Sequence, residues 1–217
     1  MPGYAMRKID VQVGAYQCRI RALSDHLQYA DPSGSAAQAG ICSASWSLFG
    51  QLWPASQVLA KAVKHIGIKN RRIIELGCGL GLPSLLLQSR GADITASDYH
   101  PLSEPFLDYN ATLNQLPAIP YLDLPWDTEH EVGRFDLIIG SDILYERNHA
   151  QLLTSLIERI AARKSKVLIS CPGRGYRNSF TRSLEAQGFE LTETRTAFAE
   201  GEQAPFRGRL LCYRRGL

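Results

Sequence analysis

No apolar run in this 217-residue chain approaches the length of a membrane span, so no helical membrane segment is expected. The first residues, MPGYAMRKID, lack the apolar centre of a signal peptide, and the expected location is cytoplasmic. Charge of one sign is also missing. Lys and Arg number 24 and Asp and Glu 21, and a net charge of +3 is too small to argue for a nucleic-acid partner. Cysteine is sparse and scattered: Cys18, Cys42, Cys78, Cys171 and Cys212 form no C-x-x-C pair. That pattern excludes a disulfide frame or a zinc site and fits thiols in a reducing cytosol. No internal repeat is present. What is there is the composition of a soluble globular protein, 45% hydrophobic, with the length of a single domain plus a small N-terminal elaboration.

The chain is organised around Arg71 to Asp98, RRIIELGCGLGLPSLLLQSRGADITASD. A short apolar run, Ile73-Ile74, ends in Glu75. Gly77, Gly79 and Gly81 follow at alternate positions. A helical pattern then runs from Leu82 to Arg90 and is closed by Gly91. A second run, Ile94-Thr95-Ala96, ends in Ser97-Asp98. Strand, glycine turn, helix, strand and acid make the first half of a nucleotide-type βαβ unit. The glycines allow a tight bend and close approach of a ligand to bare backbone, and the helix start offers free N–H groups. An acid about twenty residues further on, at a strand end, can accept hydrogen bonds from both hydroxyls of a ribose. The hydride-cofactor fingerprint, G-x-G-x-x-G, is absent; the spacing here is G-x-G-x-G with an acid two residues earlier. A carboxylate there would repel a pyrophosphate but suits a ligand carrying ammonium or sulfonium charge.

Around this unit the sequence patterning places further elements. Residues 9–22 alternate apolar and polar on either side of Gly14, a β-hairpin. Residues 31–45, rich in small side chains, read as a loop able to cover a site. Ala55 to His65 is a helix with Pro54 in its first turn. After Asp98-Tyr99 a helix spans Leu102 to Gln115, with Asn110 and Asn114 on one face as exposed or capping polarity. A strand over Ile119 to Leu122 leads into Asp123-Leu124-Pro125-Trp126-Asp127. Residues 135–141 are a buried parallel strand ending in Ser141-Asp142-Ile143-Leu144-Tyr145. Residues 149–164 form an amphipathic helix, Lys166 to Ser170 a fifth parallel strand, and residues 179–187 a last helix. Phe189 to Thr194 and Arg209 to Tyr213 pair antiparallel, and the loop over residues 197–208 reaches toward substrate. Packing in the core is the expected role of Trp46 and Phe49.

Glu75-Leu76-Gly77-Cys78-Gly79-Leu80-Gly81 resembles motif I of the class I S-adenosylmethionine-dependent methyltransferases. The segment LWPASQVLA around Trp53, the Asp-x-x-Tyr of Asp142 and Tyr145, and the Pro-Gly-Arg-x-Tyr run holding Arg174 and Tyr176 resemble the family-sixteen-type protein-lysine methyltransferases, including bacterial electron-transfer-flavoprotein-β lysine methyltransferase. The resemblance covers about residues 46–215. It implies an α/β, Rossmann-like sheet of seven strands, mostly parallel, in the order 3-2-1-4-5-7-6 with strand seven antiparallel and helices on both faces. Residues 1–45 would be an N-terminal hairpin and loop cap and 46–217 the catalytic domain. S-adenosylmethionine is the implied cofactor and S-adenosylhomocysteine the product. Its binding residues would be Trp53, Glu75, Gly77, Cys78, Gly79, Gly81, Asp98, Tyr99, Asp123, Trp126 and Ser141. In this fold the loop after the third strand edges the adenine, although the family's adjacent Asp-Trp is split here by Leu124-Pro125. Asp142 and Tyr145 are the implied catalytic pair, Asp142 receiving an ammonium group, and Arg174 and Tyr176 the implied substrate contacts. A protein lysine is the implied acceptor; no metal, nucleic acid or membrane partner is implied. A small-molecule N- or O-methyltransferase is the alternative, since one fold hosts many substrates. The Asn/Asp-Pro-Pro-Tyr motif of adenine or glutamine methylation is absent, which counts against those acceptors.

Overall fold

A computed structural model describes residues 3–127, 129, 131–197 and 207–216. The N-terminal strands β1 (Met6–Val13) and β2 (Tyr16–Leu23) form a separate two-stranded antiparallel hairpin turned at Gly14 (φ 63°). Two single-turn helices follow, α1 (Ser35–Gln38) and α2 (Ser43–Trp46), then a 3-10 turn over Ser47–Gly50. The small-residue loop therefore has internal order. Asp31 supplies part of it, its carboxylate accepting from the Ala36 and Ala37 N–H groups.

The main body alternates strand and helix: α3 (Pro54–Val63), β3 (Arg72–Leu76), α4 (Leu82–Ser89), β4 (Asp93–Asp98), α5 (Ser103–Leu113), β5 (Tyr121–Asp123), β6 (Phe135–Ser141), α6 (His149–Ile160), β7 (Ala161–Cys171), α7 (Arg177–Ala186), β8 (Glu190–Ala197) and β9 (Arg207–Arg215). Seven strands make one sheet in the order β5-β4-β3-β6-β7-β9-β8. Counting from β3, this is 3-2-1-4-5-7-6, with β9 antiparallel to both neighbours and the other pairs parallel. The fold is the expected mostly parallel, Rossmann-like sheet.

Two apolar layers clothe it, and the pleat sorts residues between them. Ile73, Leu137, Ile139 and Leu168 point to one layer, shared with α3, α4, α5 and the hairpin's Val11, Val13 and Ile20. Ile74, Ile138, Val167 and Ile169 point to the other, shared with α6 and α7.

Several element boundaries differ from the sequence expectation, as does the role of one pair of asparagines. Helix α6 stops at Ile160 rather than 164, and β7 begins at once at Ala161, with a register irregularity before Lys166. Guanidinium groups end the helix: Arg134 donates to the carbonyls of Glu158 and Ala161, and Arg215 to those of Ala161 and Ala162. Strand β5 starts at Tyr121, not Ile119. Pro120 has no N–H for the ladder, though its carbonyl accepts from Ala96. Asn110 and Asn114 are not exposed polarity. Asn110 is fully buried; its Oδ1 accepts from Arg21 N (2.7 Å) and its Nδ2 donates to the Arg21 and Leu80 carbonyls. Asn114 does the same one turn on, with Arg19 N (2.8 Å) and Arg19 O (2.7 Å). Helical residues four apart rise about 6 Å and strand residues two apart about 6.7 Å, so two amides match the free edge of β2.

Candidate active site

The glycine loop lies where β3 ends and α4 begins, at the carboxyl end of the sheet. Gly77, Gly79 and Gly81 all have left-handed φ, at 62°, 51° and 75°. Each also sits against a neighbour that a side chain would strike. A Cβ at Gly79 would stand 2.7 Å from the Phe49 carbonyl oxygen, and one at Gly81 would stand 2.3 Å from Leu107 Cδ1. One at Gly77 would meet Ile143 at 3.0 Å and the Trp126 ring at 3.5 Å. The alternate spacing thus serves three separate close approaches.

Two acids hold the loop. Asp98, at the end of β4, accepts from Gly79 N (2.8 Å) through one oxygen, and from Tyr99 N (2.8 Å) and His100 N (3.0 Å) through the other. Burial nevertheless pushes its pKa up. The oxygen facing Gly79 keeps acceptor capacity for a ligand hydroxyl, while the other already accepts twice. Glu75 is fully buried behind the loop. Its Oε2 accepts the N–H (3.0 Å) and the hydroxyl of Ser84, in the first turn of α4, while Oε1 is without a partner among the described residues. Burial raises the Glu75 carboxyl to about 8.

The loop opens on a cavity of about 390 Å³, within the range of small-ligand sites. Of the residues singled out in the sequence, Trp53, Gly77, Cys78, Gly79, Asp98, Tyr99, Trp126, Ser141, Asp142, Tyr145 and Arg174 line it. Glu75 and Gly81 do not; they shape the loop from behind. Asp123 is exposed at the end of β5, off the cavity wall. Tyr176 lies in an adjoining open cleft, which also includes Tyr145, Glu146, Arg147 and Asn148. The loop over residues 197–208 falls largely outside the described residues.

Several cavity residues were missed in the sequence or assigned elsewhere, among them Ser45, Gln51, Phe49 and His100. Ser45 and Gln51 sit in segments without a motif. Phe49, expected only in the core, both packs and lines, its ring stacked on His100 at 3.9 Å. Burial lowers the His100 imidazole to about 4. Trp46 is core, as expected, at 1% exposure. Just outside the cavity, His149 stands edge-on to Trp126 (4.8 Å) and to Tyr145 (4.5 Å), so one ring props two cavity aromatics. Its Nδ1 lies 3.1 Å from the Ile143 carbonyl, and burial favours the neutral ring. Its position four residues after Tyr145, on the opening turn of α6, was the only sequence signal.

Asp142 has a left-handed backbone (φ 52°) fixed by its N–H to Ser170 O (2.8 Å). Its carboxylate is not free. Arg174 Nε and Nη2 grip Oδ1 and Oδ2 at 2.7 and 2.8 Å, a two-pronged ion pair. The expected bare receptor for an ammonium group is therefore already occupied by a cation of the chain itself. Tyr145 lies beside this pair, and burial raises its pKa, so the hydroxyl keeps its proton.

A family model described as lysine methyltransferase matches residues 43–187. The chain belongs to this lysine methyltransferase family. Within the family, protein N-lysine methyltransferase METTL21A of Danio rerio is 30% identical over 151 residues, covering 65% of this chain and 69% of that protein. EEF1A lysine methyltransferase 3 of Mus musculus is 26% identical over 149 residues, covering 65% of the chain and 64% of the relative. Matches to these two family members thus span about two thirds of their lengths. Among solved structures, magnesium protoporphyrin IX methyltransferase from Synechocystis PCC 6803 with bound SAM superposes with a TM-score of 0.59 at 17% identity, over 75% of this chain and 78% of that one, which establishes the shared fold. S-adenosylmethionine is the cofactor of this family member. The residues present fit it: a glycine cradle with no room for Cβ atoms, and a buried carboxylate at the second strand's end.

Proposed function

We propose that this enzyme transfers a methyl group from S-adenosylmethionine to a lysine side chain of a protein substrate, with Asp142 and Tyr145 at the reacting nitrogen. One observation carries the reading. Asp142 and Tyr145 share a cavity with the glycine loop and Asp98, so acceptor and cofactor groups converge on one space. The family match and the relatives' names support a lysine of a protein as acceptor.

The cofactor, when bound, supplies an electrophilic methyl on a positively charged sulfur. The chain supplies the rest. Gly77, Cys78, Gly79, Asp98 and Tyr99 hold the cofactor, with Trp53, Trp126 and Ser141 on the walls. Asp142 accepts an N–H of the amine and Tyr145 offers its ring face and hydroxyl, which aims the nitrogen lone pair. Aromatic walls exclude water. Asp142 and Tyr145 aim that lone pair at the methyl the cofactor supplies, with the cofactor left as the neutral thioether, and the methylated amine releases its proton to water. A lysine at pKa about 10.4 must first lose one proton, which at pH 7 costs roughly 4–5 kcal/mol. Residues 46–217 form the catalytic body in this reading, and residues 1–45 the cap that Asn110 and Asn114 hold on. Tyr176, across the cleft from Tyr145, meets the substrate protein. A cytoplasmic, reducing setting suits the five free thiols.

The test is transfer of radiolabelled methyl from S-adenosylmethionine into a lysate of the source organism. A discrete labelled protein, with label on lysine, is expected. Turnover should fall at least tenfold in Asp142→Asn and in Tyr145→Phe at saturating substrate. Label confined to small molecules would overturn the protein-lysine reading.

A further inference from the structure

Asp142 and Arg174 come from different strand ends, β6 and β7, and meet at the mouth of the cavity. The carboxylate is the more enclosed partner, its side chain 12% exposed against 44% for Arg174. Arg174 lies between Gly173 (φ 96°) and Gly175, and a Cβ at either glycine would meet open space, so packing does not force the loop against Asp142. What holds the guanidinium there is the ion pair itself. Two prongs occupy one face of both carboxylate oxygens and leave further lone pairs on each. The other titratable groups around the pair are Tyr145 and Glu146 on the segment after β6, Cys171 at the end of β7, and Asp98 and Tyr99 at the end of β4.

A lone carboxylate at this spot would hold a lysine as ammonium, the form that cannot attack. It would also cancel the positive charge of the cofactor. We propose that Arg174 is a positioning residue that sets the charge of the site: forked onto Asp142, it neutralises that carboxylate, so the methyl-transfer end takes the acceptor as a neutral amine. Asp142 keeps its hydrogen-bonding geometry while losing its net attraction for cations. Relative to a lone carboxylate, the Asp142–Arg174 pair makes the methyl-transfer end more positive by one charge unit, which beside a sulfonium shifts the acceptor toward the uncharged amine. This rests on the lysine reading above.

The charge balance can be read without any acceptor, because S-adenosylmethionine and S-adenosylhomocysteine differ by one methyl and one positive charge. Calorimetric titration at low ionic strength gives the affinity ratio of the two for the wild type and for variants. In Arg174→Met the freed carboxylate should favour the sulfonium form, raising the ratio about three- to tenfold. Arg174→Lys keeps the charge and should stay within about twofold of the wild type. Asp142→Asn leaves a bare guanidinium and should shift the ratio the other way by a similar factor. Both shifts should shrink in high salt. If Arg174→Met does not fold, Asp142→Asn decides alone. A ratio that moves less than twofold in Asp142→Asn, and in Arg174→Met where it folds, overturns the proposal. Failure of the lysine reading would appear in the labelling experiment and would not abolish the ratio shifts expected here, so the two are separable.

Discussion

At the scale of single residues, Gly79 is the tightest constraint in the site. Its φ of 51° is costly for any side chain, by about 1–2 kcal/mol. The obstacle to a Cβ is the Phe49 carbonyl, which is backbone and cannot rotate away as a side-chain end could. Gly79→Ala should therefore lower Tm by roughly 4–8 °C and weaken S-adenosylmethionine binding at least tenfold, checked by calorimetry and titration. Gly81→Ala meets only the flexible tip of Leu107 and should bind the cofactor more nearly like the wild type. Spacing in the sequence was enough to see that three glycines belong to one loop. It could not rank them, because Phe49 and Leu107 reach the loop from distant parts of the chain. The same reason hid the Asp142–Arg174 pair: the residues are 32 positions apart and meet only because β6 and β7 are neighbours.

Elements show a different pattern of legibility. Segments with a strong apolar composition, such as β6 over Phe135–Ser141, lie where the sequence placed them. Ends set by tertiary donors do not, as at α6, where Arg134 and Arg215 stop the helix early. The attachment of the hairpin was also invisible, since asparagines on a helix normally face water or cap an end. Here Asn110 serves the Arg21 backbone and the Leu80 carbonyl of the glycine loop at once. Asn110→Ala would leave buried backbone groups unpaired, at a cost of about 2–3 kcal/mol. Hydrogen exchange at the Arg21 amide should speed up in step. Asn114→Ala should cost less, because its bonds to Arg19 lie in contact with solvent, which replaces them. Equal losses at the two positions would mean that burial is not what separates them.

For the whole molecule, two buried titratable groups tilt stability in opposite directions with pH. The Glu75 carboxyl is raised from 4.5 to about 8 by burial, which outweighs its two bonds from Ser84. A folded-state pKa above the unfolded one favours the fold below pH 4.5, and that advantage is lost as pH rises toward 8. The His100 ring is lowered from 6.5 to about 4, again by burial. Its contribution is present above pH 6.5 and is lost as pH falls toward 4. The two windows overlap between about pH 4.5 and 6.5, where the slopes oppose each other, so without cofactor stability should be highest there and decline on both sides. Glu75→Gln separates the two slopes. The amide cannot ionise, so the decline from about pH 6.5 to 8 should flatten by up to roughly 1.4 kcal/mol per pH unit, while between about pH 4.5 and 6.5 the His100 slope, no longer opposed, should emerge as a rise of stability with pH. Scanning calorimetry across pH 4–9 checks this. An unchanged alkaline slope would mean that Glu75 is already ionised in the folded protein across this range, and that the clasp between β3 and α4 is held by a buried carboxylate.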